Sequence, residues 1–228
     1  MTTVGIIQPN FIPWRGYFDF IREVDVFVFL DDVQYTSRDW RNRNRLRSRN
    51  GASQWITVPV LGSRSALLRD MRVDPNPRWA RKHIAYLQQN YARAPHLGLV
   101  TELLADAYAR HGNLSDLNIA LCRRIMALLE VETPTLRASD LGCEGVRDAR
   151  LIGIVQRLNG DRYLSGPAAK AYLQPGLWAQ AGIGLAFKDY GGYPDYRQIA
   201  EPFDPAVSII DLLAMQGPRA RHYLGRSS

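Results

Sequence analysis

Two apolar, β-rich runs, TVGIIQ (residues 3–8) and DVFVFLDD (25–32), bracket WRGYFDFIREV, whose Tyr17, Phe18 and Ile21 recur at helical spacing. Strand, helix and strand within about thirty residues is the pattern of a parallel βαβ unit, because parallel strands need a long crossover that a hairpin cannot supply. This pattern places the chain in the α/β class. In open parallel sheets ligands sit beyond the carboxyl ends of the strands. Gln8–Trp14 and Asp31–Tyr35 are therefore expected on one rim, facing each other.

Beyond this unit the stretch RNRNRLRSR (41–49) alternates arginine with Asn42, Asn44, Leu46 and Ser48. A period of two lines the arginines along one side of an extended segment. Asn50-Gly51 signals a turn, and SQWITVPV reads as the returning strand of a hairpin. A loop and a short strand follow in LGSRSALLRDMRVDP. The middle, about 75–132, reads as a helical insert of three helices, the third capped by Asn113 or Ser115. Strands are expected around TPTLR, DRYLSG and IGLAFKDY, helices in CEGVRDARLIGIVQRLNG and around SIIDLLAMQG, and a long ordered loop over 189–205. The whole, 1–228, is read as a single α/β domain with an N-terminal parallel sheet.

Composition narrows the function classes. The chain has a formal charge of +7, and Lys82, Lys170 and Lys188 are its only lysines. Arginine suits phosphate and carboxylate because its planar guanidinium donates in pairs, so nucleic acid, nucleotides and acidic metabolites all remain open as partners. Cys122 and Cys143 are too few and too far apart for a disulfide framework, and four histidines without ligand spacing argue against zinc, so no metal centre is expected. The start of the chain lacks a signal-peptide pattern, and no apolar run approaches a membrane span of about 20 residues. A reduced, cytoplasmic protein with no membrane partner is expected.

The blocks QPNFIPWRGYFDFI, DVFVFLDDVQYTSRDWRNRNRL and WITVPV, followed by WARKHIAYLQQNYARAP, YLSG and SIIDLL, resemble the WbqC-like protein family over almost the whole chain. Members usually carry a Phe-Asn pair after SIIDLL; here Ala214, Met215 and Gln216 stand there. The resemblance implies a transferase or amide-forming ligase in surface polysaccharide (O-antigen) or secondary-metabolite biosynthesis. Such an enzyme would attach a small aminoacyl or acyl group, glycine having been suggested, to an amine of a sugar nucleotide or related metabolite. The turn PNFIPWRGYFDFI also resembles the HIGH-type turn of nucleotidyl-transferring enzymes, which implies a Rossmann-like, HIGH-superfamily-like sheet. Gly16 fits that turn, whereas Trp14 and Tyr17 occupy the places of its two histidines, so its catalytic groups do not carry over. ATP with Mg²⁺ is left open as cofactor, and the donor as an adenylate, an aminoacyl-tRNA or a thioester on a carrier protein.

The candidate residues follow from the rim. Gln8 and Asn10 lie near a helix start, where free N–H groups favour anions, with Trp14, Gly16 and Tyr17 beside them. Asp31 and Asp32 end a strand, and one of them is expected to face the site as amine ligand or general base. Gln34, Tyr35 and Trp40, with Arg38, Arg41, Asn42, Arg43 and Asn44, are the expected wall for a phosphate- or carboxylate-bearing small molecule. Arg47 and Arg49 are expected at the surface. His83, on the first middle helix, is the candidate acid–base group against a plain packing role, and the Ser165-Gly166 turn offers N–H groups to an anion. The competing function is a nucleic-acid module that binds tRNA without catalysis of its own.

Overall fold

The computed structural model describes residues 1–63 and 65–225. Arg64, in the loop expected after WITVPV, and 226–228, the end of the expected domain, lie outside the described residues.

The chain opens with β1 (Thr3–Ile7), α1 (Arg15–Arg22) and β2 (Val26–Phe29), the βαβ unit read from the sequence. Then come two antiparallel pairs, β3 (Arg43–Arg47) with β4 (Ser53–Thr57) and β5 (Val60–Leu61) with β6 (Arg72–Val73). The helical stretch holds α2 (Arg78–Asn90), α3 (Leu97–Arg110) and α4 (Leu114–Leu128). Asn113 caps α4, its side chain accepting from the Asp116 N–H. The remainder is β7 (Thr135–Arg137), α5 (Ala138–Leu141), α6 (Arg147–Arg157), β8 (Arg162–Ser165), α7 (Pro175–Gln180), β9 (Gly184–Phe187) and α8 (Ile209–Gln216).

The central sheet is all-parallel, in the order β7-β2-β1-β8-β9. The expectation of an N-terminal sheet is corrected here, because β7, β8 and β9 all come from beyond residue 134. Short strands with weak internal pattern join the sheet through pairing that sequence periodicity does not report. The chain leaves β1 toward the β7 edge and later returns to β1's other side as β8. This reversal is the switch point at which such sheets open a crevice.

Alternation along the strands builds two cores, as a sheet buried on both faces requires. Val4, Ile6, Val28 and Tyr163 pack with Ile154, Val155 and Trp178 on one face. Phe27, Phe29 and Leu164 pack on the other with Phe18 and Phe20 of α1 and with the middle helices and α8. α1 crosses directly over Gly5, where an added Cβ would stand 2.6 Å from Phe20 Cε1. Among the described residues no helix is long and apolar enough to cross a membrane.

Gly5→Ala should therefore destabilise the protein by about 1–3 kcal/mol through overpacking, although alanine is ordinarily the better strand residue. An equal or higher denaturation midpoint for the variant would show that α1 does not press on the sheet there.

Candidate functional site

The segment after β1 is buried without regular structure. It contains Pro9 and Pro13, and Ile12 has φ 36°, a conformation uncommon for a β-branched residue. Its carbonyls must find donors, and side chains from distant elements supply them. Asn44 Nδ2 donates to Phe11 O (3.1 Å) and Ile12 O (3.0 Å). Ser208 Oγ donates to Ile12 O at 2.6 Å, and the Ile209 N–H donates to Pro13 O at 2.9 Å. Asn118 of α4 donates to Pro9 O (3.1 Å) and Arg41 O (2.7 Å), and the Phe11 N–H donates to Trp40 O (2.9 Å). The loop following β1 is thereby stitched to the segment entering β3.

A pit of about 280 Å³ forms at this seam, lined by Asn10, Pro13, Trp14, Trp40, Asn44 and Ala206. Four of these are among the residues expected from the sequence. Arg41 joins them by donating to Asn10 Oδ1 at 2.7 Å. Its side chain is 16% exposed, its carboxylate partner Asp39 is 3.6 Å away, and its Nε has no partner. Burial pulls this guanidinium below the ordinary arginine range, while Asp39 and Tyr17 oppose the shift. A desolvated, loosely paired cation gains from an added anion. Trp14 keeps its place because Gly16 has no side chain: a Cβ there would stand 2.3 Å from Trp14 Cζ2. Tyr190 and Tyr193 also pack against the Trp14 ring, with centroids 5.1 and 5.9 Å away.

Other expected residues are placed elsewhere. Asp31 is fully buried, accepting from the Ser139 N–H (3.1 Å) and Oγ (2.9 Å), and so fastens the start of α5. Asp32 pairs with Arg150 of α6. Neither lines the pit. The Tyr17 hydroxyl donates to Gln8 O at 3.0 Å, which holds the end of β1 against α1. Asn42 is buried and donates to Val58 O at 3.0 Å. Gln34 bridges to Leu67, the Tyr35 N–H donates to Ala66 O, and Arg38 is exposed at φ 55°. Ser165 and Gly166 end β8 beside β1, but the Ser165 hydroxyl turns to Tyr163. Arg49 is exposed as expected, whereas the surface placement of Arg47 is corrected. Arg47 is 3% exposed, and its guanidinium donates to the carbonyls of Gly51, Ala200 and Pro202.

His83 is packed among Phe11, Trp79 and Tyr108, with Nδ1 3.0 Å from the Tyr108 hydroxyl. Burial lowers its pKa to about 4, with a hydrogen bond to the Thr57 backbone pulling the other way. It is a neutral core residue at pH 7. A larger cavity of about 910 Å³ lies beyond it, walled by α2 and α3 and including Trp79, Ile84 and Tyr108. That cavity contains none of the rim residues; its polar lining is Arg72, Asp74, Arg81, Gln88, Arg110 and His111, whereas the smaller pit lies at the carboxyl end of β1, where open parallel sheets place their ligands. Among the described residues no group of three or more His, Cys, Asp or Glu side chains is placed to hold a metal ion.

Asn118, Ser208, Ala206 and Trp55 were not singled out from the sequence. Asn118 had a signal, being an amide on the buried stripe between Leu117 and Leu121. Trp55 had one too, as the outward position beside inward Ile56.

The model of the WbqC-like protein family matches residues 8–223. The chain is similar to the uncharacterized protein Rv1507c of Mycobacterium tuberculosis (strain ATCC 25618 / H37Rv), 41% identical over 228 residues and 98% of each chain. No solved structure matches it.

Two outcomes are expected from this geometry. Asn44→Asp removes the donor to two buried carbonyls and should cost about 2–4 kcal/mol of stability; unchanged chemical denaturation would show that the seam is not held there. His83 binds its proton in the unfolded chain below pH 6.5 but in the folded chain only near pH 4. Stability should therefore fall as pH drops through that window, by on the order of 3 kcal/mol from this residue. His83→Gln, which keeps a hydrogen-bonding group without titrating, should flatten the fall in denaturation curves taken at pH 7 and 4.5.

Proposed function

The chain belongs to the WbqC-like protein family, and from that premise we propose that it is a transferase or amide-forming ligase. It attaches a small aminoacyl or acyl group to an amine of a phosphate- or carboxylate-bearing metabolite, a sugar nucleotide being the class that suits the family's polysaccharide setting. The observation that carries the reading is the Arg41–Asn10 pair beside the pit. Arg41 is desolvated, and its weak pairing with Asp39 leaves it in want of an anion.

Acyl transfer needs a neutral amine at attack and donors for the oxygen on which charge develops. Asn10 spends its Oδ1 on Arg41, so its Nδ2 is the group we assign to the carbonyl oxygen. Arg41 takes the phosphate or carboxylate, and Trp14 and Trp40 wall the reacting groups from water. The amine's proton leaves with the departing group of the donor, which is the phosphate of an adenylate, the thiolate of a thioester or the ribose oxygen of an aminoacyl-tRNA, rather than with Asp31, Asp32 or His83. The position of the pit, next to the carboxyl end of β1 at the sheet's reversal, supports a doubly wound, nucleotide-binding character for the fold. ATP with Mg²⁺ enters this reading only if the donor is an adenylate; an aminoacyl-tRNA or a thioester on a carrier protein would arrive already activated.

A second reading, a tRNA-binding module without catalysis, draws on the +7 charge and the outward arginines of the hairpin. Salt separates the two. Binding by counterion release collapses steeply as salt rises, whereas a concave pocket keeps much of its affinity.

Arg41→Lys keeps the charge but not the planar fork. It should weaken binding of a sugar nucleotide by at least tenfold, about 1.4 kcal/mol, in titration calorimetry, with little change in melting temperature. Undiminished affinity would remove Arg41 from the site, and a variant that unfolds would make it a structural residue.

A further inference from the structure

Resting on the reading of the pit as an anion-holding site, we infer that Trp40, Trp55 and Arg43 form the subsite for the base and diphosphate of a nucleoside diphosphate. Strand register brings the residues together. In the β3–β4 ladder Arg45 stands opposite Trp55 and Arg43 opposite Thr57. Successive side chains alternate, so Asn44 and Leu46 take the inner face and Arg43, Arg45 and Trp55 the outer one. The turn before β3 then lays Trp40 against Trp55, with ring centroids 5.2 Å apart at 42°. The two residues are 41% and 44% exposed, and a contiguous exposed apolar patch marks a contact site.

Cations lie over the Trp55 ring. Arg43 Cζ is 4.2 Å from the Trp55 ring centroid and Arg45 Cζ is 5.9 Å away. Among the described residues neither guanidinium has a carboxylate partner; Arg45 reaches the Ala206 carbonyl at 3.3 Å. Asp204 senses Arg45 through space, but its oxygens are committed to the Ser53 hydroxyl and the Ala206 N–H.

The chemistry selects the ligand. Indole faces accept any nucleobase by stacking, and a guanidinium pairs bidentately with phosphate oxygens. A neutral sugar would use the indoles and leave the cations unmatched. A single strand of RNA would use both, but it needs a track of platforms, and this one ends at Trp40, which is also a wall of the pit. At about 280 Å³ the pit has room for a sugar-sized group and not for a strand. The base therefore lies on the indoles, the diphosphate runs from Arg43 toward Arg41, and the appended group enters the pit.

The test titrates the full chain with uridine diphosphate, adenosine diphosphate and inorganic pyrophosphate, read by calorimetry and by tryptophan fluorescence. Wild type is compared with Trp55→Ala, Trp55→Phe and Arg41→Ala. Both nucleotides should bind at least tenfold more tightly than pyrophosphate and quench the fluorescence. Trp55→Ala should erase that advantage while leaving pyrophosphate binding unchanged, and Trp55→Phe should keep much of it. Arg41→Ala should weaken all three ligands. Nucleotides that bind no more tightly than pyrophosphate, or an advantage that survives Trp55→Ala, overturn the subsite, while Arg41-dependent pyrophosphate binding would still uphold the pit. Pyrophosphate binding indifferent to Arg41, alongside a Trp55-dependent nucleotide advantage, overturns the pit and upholds the stacking platform. A short oligouridylate that binds with steep salt dependence where the diphosphates fail overturns the inference in favour of RNA.

Discussion

A buried stretch of irregular backbone must have its carbonyls satisfied, and the segment from Pro9 to Pro13 imposes that requirement on this protein. Two prolines deprive it of N–H groups, and Ile12 sits at positive φ, at a cost of order 1–3 kcal/mol. The conformation persists because it is over-determined: Ile12 O alone accepts from both Asn44 and Ser208. Meeting these demands draws β3, α4 and the segment before α8 onto the end of β1. The rim pit is the space left between elements gathered for that reason.

The same gathering sorts an arginine run that looks uniform in the sequence. Arg47 stands on the same face of β3 as Arg43 and Arg45 but is covered by the loop at 200–202, and it closes three carbonyls of that loop and the turn, a task that suits a planar, five-donor group better than an ammonium. Arg41 is desolvated against Asn10. Arg43 and Arg45 stay on the outer face of the hairpin over Trp55. Position on a strand and depth of burial, rather than charge, decide which arginine is structural and which is free for a ligand.

The carboxylates show the converse. Asp31 and Asp32 end β2 at the carboxyl rim, where a site is expected, yet their partners are Ser139 and Arg150 from the second half of the chain. β7 lies on the far side of β2 from β1, and α6 crosses one face of the sheet, so these aspartates serve the joint between sheet and helices. The larger cavity between α2 and α3 is likewise lined by none of the rim residues, although α4 reaches the rim through Asn118.

Local pattern was enough to determine the βαβ opening, the hairpin with its alternating arginines and the three middle helices with the Asn113 cap of the third, since each depends on periodicity, capping or turn residues. The strand order, the core role of His83, the burial of Arg47 and the partners of Asp31 and Asp32 were decided by tertiary structure alone. Each depends on residues more than fifty positions away or on the dielectric of a packed interior. Side-chain spacing along a chain carries no record of which distant group will stand opposite, and that group determines whether a charge is spent inside the protein or left for a ligand.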